Sequence, residues 1–208
     1  SQSPLFVIGL APTINMYDYY FGTDKLGHFF MQGHTYFKIY TYLRHHGKSD
    51  EQARAAIILY GQVLEQTYLG TLINGVYSNG DLSANYSGWK FYMNLTQPVK
   101  IGDKTLPPIL VLKDNQWQFA RPIDKDNFLK PYLTDNFNEA WNPSRHSFMR
   151  GQIRRHIQKR CANWIKHGLT KKIATAKLKE ANYWHGEPYG HWLPKDNAVT
   201  LNTCFGGV

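Results

Sequence analysis

Apolar and polar positions in the first part of the chain alternate with the period of an α-helix. From residue 22 to about 46, apolar residues recur every three or four positions and form one stripe. The stripe consists of Leu26, Phe29, Phe30, Gly33, Phe37 and Tyr40. Gly47 follows as a stop signal. This pattern predicts a helix over about 22–46.

Two further helices are predicted at short intervals. Residues 49–52 have the form of a capping box, with Ser49 at the N-cap and Gln52 three residues later. They predict a helix that runs to about Leu69 and has the wide apolar surface typical of a central helix. A turn signal at 78–81 then predicts a shorter helix ending near Met93. Short loops therefore join three helices into a core over about 20–95.

The pattern changes after Pro98, where short apolar runs alternate with turn residues. Residues 99–121 contain Gly102, Pro107 and Pro108, and they predict a β-hairpin that turns near Asp114-Asn115. We interpret this hairpin, over about 98–122, as an insertion on the helical body.

Helical patterns resume in the last third of the chain. They predict short helices at 126–130 and 135–141, a long helix at 147–167 and another at 170–183, before an irregular tail from 185. We therefore expect one mainly α domain of 208 residues. Its parts are a helical bundle core, the hairpin insertion and a C-terminal helical part over about 125–208.

Composition excludes several classes of protein. The chain is 42% hydrophobic and 15% aromatic, which excludes intrinsic disorder. Its longest apolar stretch, residues 57–77, is interrupted by polar residues such as Glu65, so no membrane span is predicted. The net charge of +9 attracts anionic partners, such as anionic lipid or nucleic acid. Most of this charge lies between 145 and 179, where a solvated helix face is the favoured interpretation, and no nucleic-acid module is present.

A set of polar residues on the three predicted helices is the main candidate for a site. It consists of Asp24, Lys25, His28, Glu65, Asp81 and Asn85. Residues four apart share a helix face, so Asp24 can touch His28, and Asp81 can touch Asn85. Gly88, one turn after Asn85, would let another backbone come close, and Gly61, one turn before Glu65, predicts open space beside the Glu65 carboxylate. Glu65 lies in a largely apolar helix, where an unpaired carboxylate is costly. Lys25 and His28 are its available partners.

This set has two interpretations. In the first, the residues form salt bridges and hydrogen bonds that only pin the helices together. In the second they converge on one site, because helical bundles build metal sites from facing carboxylates and imidazoles. The candidate ligands of a divalent metal are then His28, Glu65 and Asp81. Alternatively these residues are catalytic, with His28 as base oriented by Asp24, and with Glu65 or Asp81 as acid.

A second polar cluster lies at 135–145. It could bring Glu139 and Arg145 into the same pocket. The favoured interpretation is a helix end, with Asn142-Pro143 as breaker and Ser144 as the next cap.

Three short motifs in order resemble known envelope families. They are DKxxHF at Asp24, the Gly61-x-x-x-Glu65 spacing, and D-L-x-A-N-x-x-G from Asp81 to Gly88. The pattern resembles the VanZ-like proteins and, more closely, the YfiM-type lipoprotein families of bacterial envelopes. The resemblance covers residues 20–93 and implies an α-helical body associated with the envelope. VanZ-like members are membrane-embedded and linked to glycopeptide tolerance, whereas these helices are too polar to span a bilayer.

The two cysteines help to predict whether the protein is cytosolic or exported. Cys161 and Cys204 are ordinary thiols if the protein is cytosolic, and an even count indicates a disulfide if it is exported. The chain starts at Ser1 without an initiator Met or a signal peptide, as a processed mature end would. We expect an exported, periplasmic or envelope-associated protein. Its polar pocket would serve a hydrolase or a metal site; the alternatives are a non-catalytic scaffold and a basic module for anionic partners.

Overall fold

A computed structural model describes residues 13–67, 70–72, 75–147, 150–192 and 198–206. About half of the chain is helical, with small antiparallel sheets around the helices. The first helix, α1, is continuous through Asp24–Gly27, a π-helical turn at His28–Gln32, and Gly33–His45. The others are α2 (Asp50–Gln66), α3 (Asn79–Asn94), α4 (Arg150–Lys166) and α5 (Lys171–Glu180).

The strands are more numerous than the sequence predicted. They are β1 (Thr13–Met16), β2 (Tyr19–Gly22), β3 (Val76–Tyr77), β4 (Val99–Ile101), β5 (Lys104–Leu106), β6 (Leu110–Lys113), β7 (Gln116–Phe119), β8 (Ser144–His146) and β9 (Ala198–Val199). The expected single hairpin at 98–122 is two hairpins, β4–β5 and β6–β7, because Gly102 makes a turn of its own with φ +58°. The predicted turn at Asp114-Asn115 is confirmed, and both residues have positive φ.

The three helices of the first half form where the sequence predicted them. The capping box at α2 is present: the Gln52 amide donates to Ser49 Oγ (3.1 Å), and the Ser49 amide donates to Gln52 Oε1 (3.0 Å). The predicted end of this helix near Leu69 falls outside the described residues, and the described helix ends at Gln66.

The buried face of α1 differs from the predicted stripe. Its buried residues are Lys25, Phe29, Gly33, Tyr36 and Tyr40, spaced by three or four positions. Of the predicted stripe, Phe30 is exposed and Leu26 is only partly buried. The periodicity was correct, but its phase was shifted, which places the Lys25 side chain in the core.

Two glycines bring α1 and α3 into backbone contact. A Cβ built on Gly88 would lie 1.9 Å from the Phe29 carbonyl oxygen, and one on Gly33 would lie 2.6 Å from the Gly88 Cα. This confirms that Gly88 allows another backbone to approach closely. The contact lies one turn from His28 and Asn85, so it sets how close the polar residues of the two helices come.

Gly61 serves a different purpose from the one expected. The sequence suggested open space beside the Glu65 carboxylate, one turn after Gly61. A Cβ on Gly61 would instead lie 1.6 Å from the Tyr36 hydroxyl oxygen. The space is therefore filled by a buried phenol from α1.

The second half of the chain is less helical than predicted. The segment 126–130 forms turns, and 135–141 is helical only over the 3₁₀ turn Asp135–Phe137. Thr134 caps this turn through its hydroxyl, and the chain then enters β8. The predicted long helix is α4, whose described part begins at Arg150, and α5 is capped by Thr170 as a separate helix. No helix among the described residues is long and apolar enough to cross a bilayer.

A disulfide joins α4 to the C-terminal segment. Cys161 and Cys204 are 43 residues apart in sequence and have Cα atoms 5.3 Å apart. Beside them, Leu169, Ala174 and Leu201 form a small core of their own. The bond thus ties the end of the chain to a helix that is otherwise mostly exposed.

We expect Gly88→Ala to destabilise the protein by at least about 2 kcal/mol, because the added methyl overlaps the Phe29 carbonyl and the two helices have to separate. Chemical denaturation measures the loss. Gly27→Ala on α1 is the matched control, since nothing lies within 4 Å of its Cβ position. The control should be neutral or slightly stabilising. Equal effects of the two variants would contradict the proposed close contact.

We expect the double variant Cys161→Ser/Cys204→Ser to lose about 4 kcal/mol of unfolding free energy, because the bond closes a loop of 43 residues. Reductant should cause a similar loss in the unmodified protein and none in the variant. Thiol titration of the unreduced, denatured protein should find no free thiol. Two titratable thiols would show that the bond does not form.

Candidate functional site

A buried lysine lies at the centre of the site. Lys25 is 1% exposed, and its Nζ atom contacts three carboxylates. The distances are 2.6 Å to Asp24 Oδ2, 2.5 Å to Asp81 Oδ1 and 2.9 Å to Glu139 Oε1. These acids come from α1, from the first turn of α3 and from the loop before β8. One ammonium group therefore holds three separate segments of chain.

The charges of this group stabilise one another. Burial lowers the pKa of Lys25, but Asp81, Glu139 and Asp24 raise it by more, so the pKa lies well above its usual value. In the same way Lys25 lowers the pKa of Glu139. Burial raises the pKa of Asp81, yet His28 and Lys25 lower it by more. The lysine is therefore an ammonium ion and the two acids are carboxylates at neutral pH.

His28 is held at both ring nitrogens. Its Nδ1 atom lies 3.0 Å from Asn85 Oδ1, and its Nε2 atom lies 3.3 Å from Asp81 Oδ2. Because the amide oxygen of Asn85 can only accept, Nδ1 carries the proton of this bond. Its Nε2 atom is then the ring nitrogen that faces the Asp81 carboxylate. His28 also begins the π-helical turn of α1, a feature frequent at functional sites.

Glu65 supplies a fourth carboxyl group, which differs from the other three in its environment. It is 2% exposed, and the backbone N–H of Ser78 donates to its Oε2 atom over 3.1 Å. Burial and the neighbouring Asp81 carboxylate raise the pKa of Glu65 to about 8. Two nearby carboxyl groups thus have pKa values displaced in opposite directions, which is the arrangement needed for an acid and a base at one pH.

Two sets of three side chains are close enough to share a cation. His28, Glu65 and Asp81 each offer one ligand atom, and these atoms lie within 4.8 Å of one another. Asp24, Asp81 and Glu139 do the same, but the ammonium of Lys25 already bridges that set. Asp81 belongs to both sets: Oδ1 faces Lys25 and Oδ2 faces His28. The His28–Glu65–Asp81 set is therefore the one suited to a metal ion.

The structure brings most of the candidate residues together. Asp24, Lys25, His28, Glu65, Asp81, Asn85 and Glu139 form one group, which we call the polar cluster. Glu139 joins it although its local sequence favoured a helix end. Within the described part of the chain, Arg145 makes no hydrogen bond or ion pair with these residues; its guanidinium group lies over the Trp192 ring, 5.5 Å from the ring centroid.

Two predicted pairings are wrong. Lys25 and His28 were the available partners of Glu65. The Lys25 ammonium instead bonds to three other carboxylates, and Glu65 accepts from a backbone amide. A ring nitrogen of His28 does lie within 4.8 Å of a Glu65 carboxyl oxygen. Asp24 was expected to orient His28. The neighbouring ammonium attracts the Asp24 carboxylate, and Asn85 and Asp81 face the imidazole instead.

Sequence reasoning missed Ser78 as a site residue. Its hydroxyl accepts from the Asp81 amide (3.1 Å) as the N-cap of α3 and donates to Glu139 Oε1 (3.0 Å). Its own amide donates to Glu65. The turn signal at 78–81 located this residue, and an N-cap serine has a hydroxyl hydrogen left to donate.

The polar cluster meets solvent at one rim. The side chains of Asp24 and Glu139 are 42% and 46% exposed, whereas those of His28 and Asp81 are 19% and 14% exposed. Two surface cavities lie elsewhere, one beside Arg54 and His185 and one beside Ile58 and His191, and no residue of the cluster lines either. A ligand would thus approach the cluster across the exposed acids.

Comparison with known proteins gave no match. No protein-family model matches the chain, and no significantly similar curated protein or solved structure was found. The resemblance to the VanZ-like and YfiM-type families therefore stays a prediction from the motifs.

We expect Glu65→Gln to change how stability depends on pH in metal-free protein. The pKa of Glu65 is raised from 4.5 to about 8 on folding, so the stabilisation by its proton is complete below about pH 4.5 and is lost as pH rises through about 8. The glutamine side chain cannot ionise, so the variant does not lose this stabilisation as the pH rises. Relative to wild type, its unfolding free energy should rise by up to about 1.4 kcal/mol per pH unit between about pH 5 and 8.

Denaturation at several pH values in the presence of a chelator measures this difference. Glu51→Gln, at an exposed position in the first turn of α2, is the matched control and should follow the wild-type profile. Parallel profiles for wild type and Glu65→Gln would show that Glu65 is ionised in the folded protein throughout.

Proposed function

We propose that this chain is an exported bacterial cell-envelope protein whose helical core carries a divalent-metal site formed by His28, Glu65 and Asp81. The convergence of three ligand atoms within 4.8 Å carries this proposal. One imidazole nitrogen and two carboxylate oxygens suit zinc, manganese and related ions. A further open position on the metal would be left for water or substrate.

The surroundings of the three side chains support this assignment. Metal-bound histidines usually donate their second N–H to an oxygen acceptor, and Asn85 Oδ1 accepts from His28 Nδ1 over 3.0 Å. The Ser78 amide likewise orients Glu65. Asp81 divides its oxygens between Lys25 and His28, so the ammonium is not required to leave when a metal binds.

The reaction we propose for such a site is hydrolysis of an envelope component. A bound divalent ion lowers the pKa of its water towards neutrality and so supplies hydroxide. Asp24 and Glu139, half exposed at the rim, lie where a substrate would enter. Asp81, kept ionised by Lys25 and His28, would act as ligand or base.

The proposed location rests on separate observations. The Cys161–Cys204 disulfide supports an oxidising compartment, since cytosolic proteins rarely keep such bonds. The three motifs between residues 20 and 93 support an envelope family. We also propose that α1, α2 and α3 are the core of a helical bundle, on the basis of their mutual packing.

The non-catalytic scaffold is the second candidate, and the bonding of Lys25 favours it. This buried ammonium is fully compensated by three carboxylates from three segments, as a purely structural network would be. Under this proposal the polar cluster only fixes the packing of α1 against α3 and the loop that carries Glu139. The two proposals differ in whether His28 and Glu65 bind a ligand.

Isothermal titration of the chelator-treated protein with Zn²⁺ and with Mn²⁺ tests the metal site. We expect one ion per chain and a loss of more than about 100-fold in affinity for His28→Ala, because removing a direct ligand costs more than removing its hydrogen-bond partner. Binding should also release protons, since the ion displaces the proton of Glu65.

His34→Ala is the matched control, because this histidine is also on α1 but is exposed and packs on Tyr92. Its affinity should equal that of wild type. If neither ion binds wild type, or if both variants bind alike, the metal site is wrong. Thermal destabilisation of His28→Ala without any metal uptake by wild type would instead support the scaffold.

A further inference from the structure

The positive charge of the protein is concentrated on α4 and α5. Between residues 145 and 179 the sequence contains eleven Lys and Arg and no Asp or Glu. The whole chain has 24 basic and 15 acidic residues, so this segment alone accounts for the excess of positive charge. Such a local field attracts anions regardless of what the polar cluster does.

Most of these cations are exposed and lack an ion pair within the described part of the chain. The exposed ones are Arg155, Lys159, Arg160, Lys166, Lys171, Lys172 and Lys179. We use the name basic face for the side of α4 that carries Arg155, Lys159 and Lys166, together with the exposed lysines of α5; Arg160 lies on another side of α4. Lys177 differs, since its Nζ lies 2.7 Å from Asp135 Oδ2. A solvated face made only for solubility would ordinarily mix both signs of charge.

The positions of the cations are also unfavourable for the helices that carry them. Lys171 and Lys172 lie in the first turn of α5, where the helix dipole disfavours positive charge. Arg155, Lys159 and Lys166 share one side of α4, at spacings of four and seven residues, so they repel one another. Neither arrangement stabilises the fold, so an external anion bound there would relieve the repulsion.

We propose that the basic face docks on the surface of an anionic phospholipid bilayer. Clusters of about four to eight Lys and Arg on a helical surface are typical of binding to anionic head groups. Ile165 and Ile173 are 46% and 43% exposed beside Lys166 and Lys172, and they can enter the head-group boundary. A single-stranded nucleic acid would need exposed aromatic rings for stacking, and Trp164, the aromatic residue of α4, is partly buried in the small C-terminal core.

Co-sedimentation of the full chain with vesicles tests this proposal. We expect binding to vesicles of phosphatidylcholine with 30% phosphatidylglycerol (about a third anionic lipid, enough for a strong surface potential) and little binding to phosphatidylcholine alone. The triple variant Arg155→Glu/Lys159→Glu/Lys166→Glu should bind at least about tenfold more weakly, as should wild type at high salt. The substituted side chains are exposed, and circular dichroism verifies the fold.

The triple variant Lys38→Glu/Lys48→Glu/Lys113→Glu is the matched control. Its three lysines are also exposed and it has the same net charge as the α4 variant, but none lies on α4 or α5. It should keep affinity within about threefold of wild type if position, not total charge, decides binding. Equal losses in both variants, or no binding to anionic vesicles, would overturn the proposal. Tighter binding of a short duplex or single-stranded oligonucleotide through the same three residues would assign the face to nucleic acid instead.

Discussion

The buried ammonium of Lys25 is the constraint on which the rest of the structure depends. A charge taken out of water costs several kcal/mol unless opposite charges and hydrogen bonds replace the solvent. Asp24, Asp81 and Glu139 provide these. Asp24 is the preceding residue of α1, whereas Asp81 and Glu139 reach Lys25 from two segments that are distant in sequence. Correct packing of α1, α3 and the loop before β8 is therefore also the assembly of the polar cluster. A change that disturbs the packing of these segments should therefore also disturb the polar cluster.

The two carboxyl groups at the inner end of the cluster, those of Asp81 and Glu65, have pKa values shifted in opposite directions because their surroundings differ. Asp81 has Lys25 and His28 beside its oxygens and stays ionised, whereas Glu65 receives one backbone N–H and is enclosed by the core. Tyr36, whose hydroxyl occupies the space left by Gly61, helps to exclude water from that side. A protonated acid and a carboxylate thus lie within 4.8 Å of each other at neutral pH, as an acid and a base at one site require.

Local sequence patterns correctly predicted the structural features that depend on residues close together in the sequence. The helical period located α1, α2 and α3, and the capping box and the close approach at Gly88 were both correct. Two features escaped prediction because they depend on distant contacts. The buried face of α1 includes Lys25, whose charge is compensated in part by Glu139, 114 residues away. Glu139 in turn lies in a segment that reads locally as a helix end, so nothing near it in sequence indicates its partner.

Asn79, the first residue of α3, links the first half of the chain to two later segments. Its side chain donates to the Pro143 carbonyl (2.6 Å) and the Trp192 carbonyl (3.0 Å) and accepts from the Trp192 amide (2.9 Å). During synthesis α3 leaves the ribosome long before either partner exists. The hydrogen bonds of Asn79 can therefore form only after the later segments have been synthesised. Contacts of such long range in sequence slow folding. The first half of the chain therefore depends on later segments for its bonding, and a duplicated or transplanted first half would not inherit a finished site.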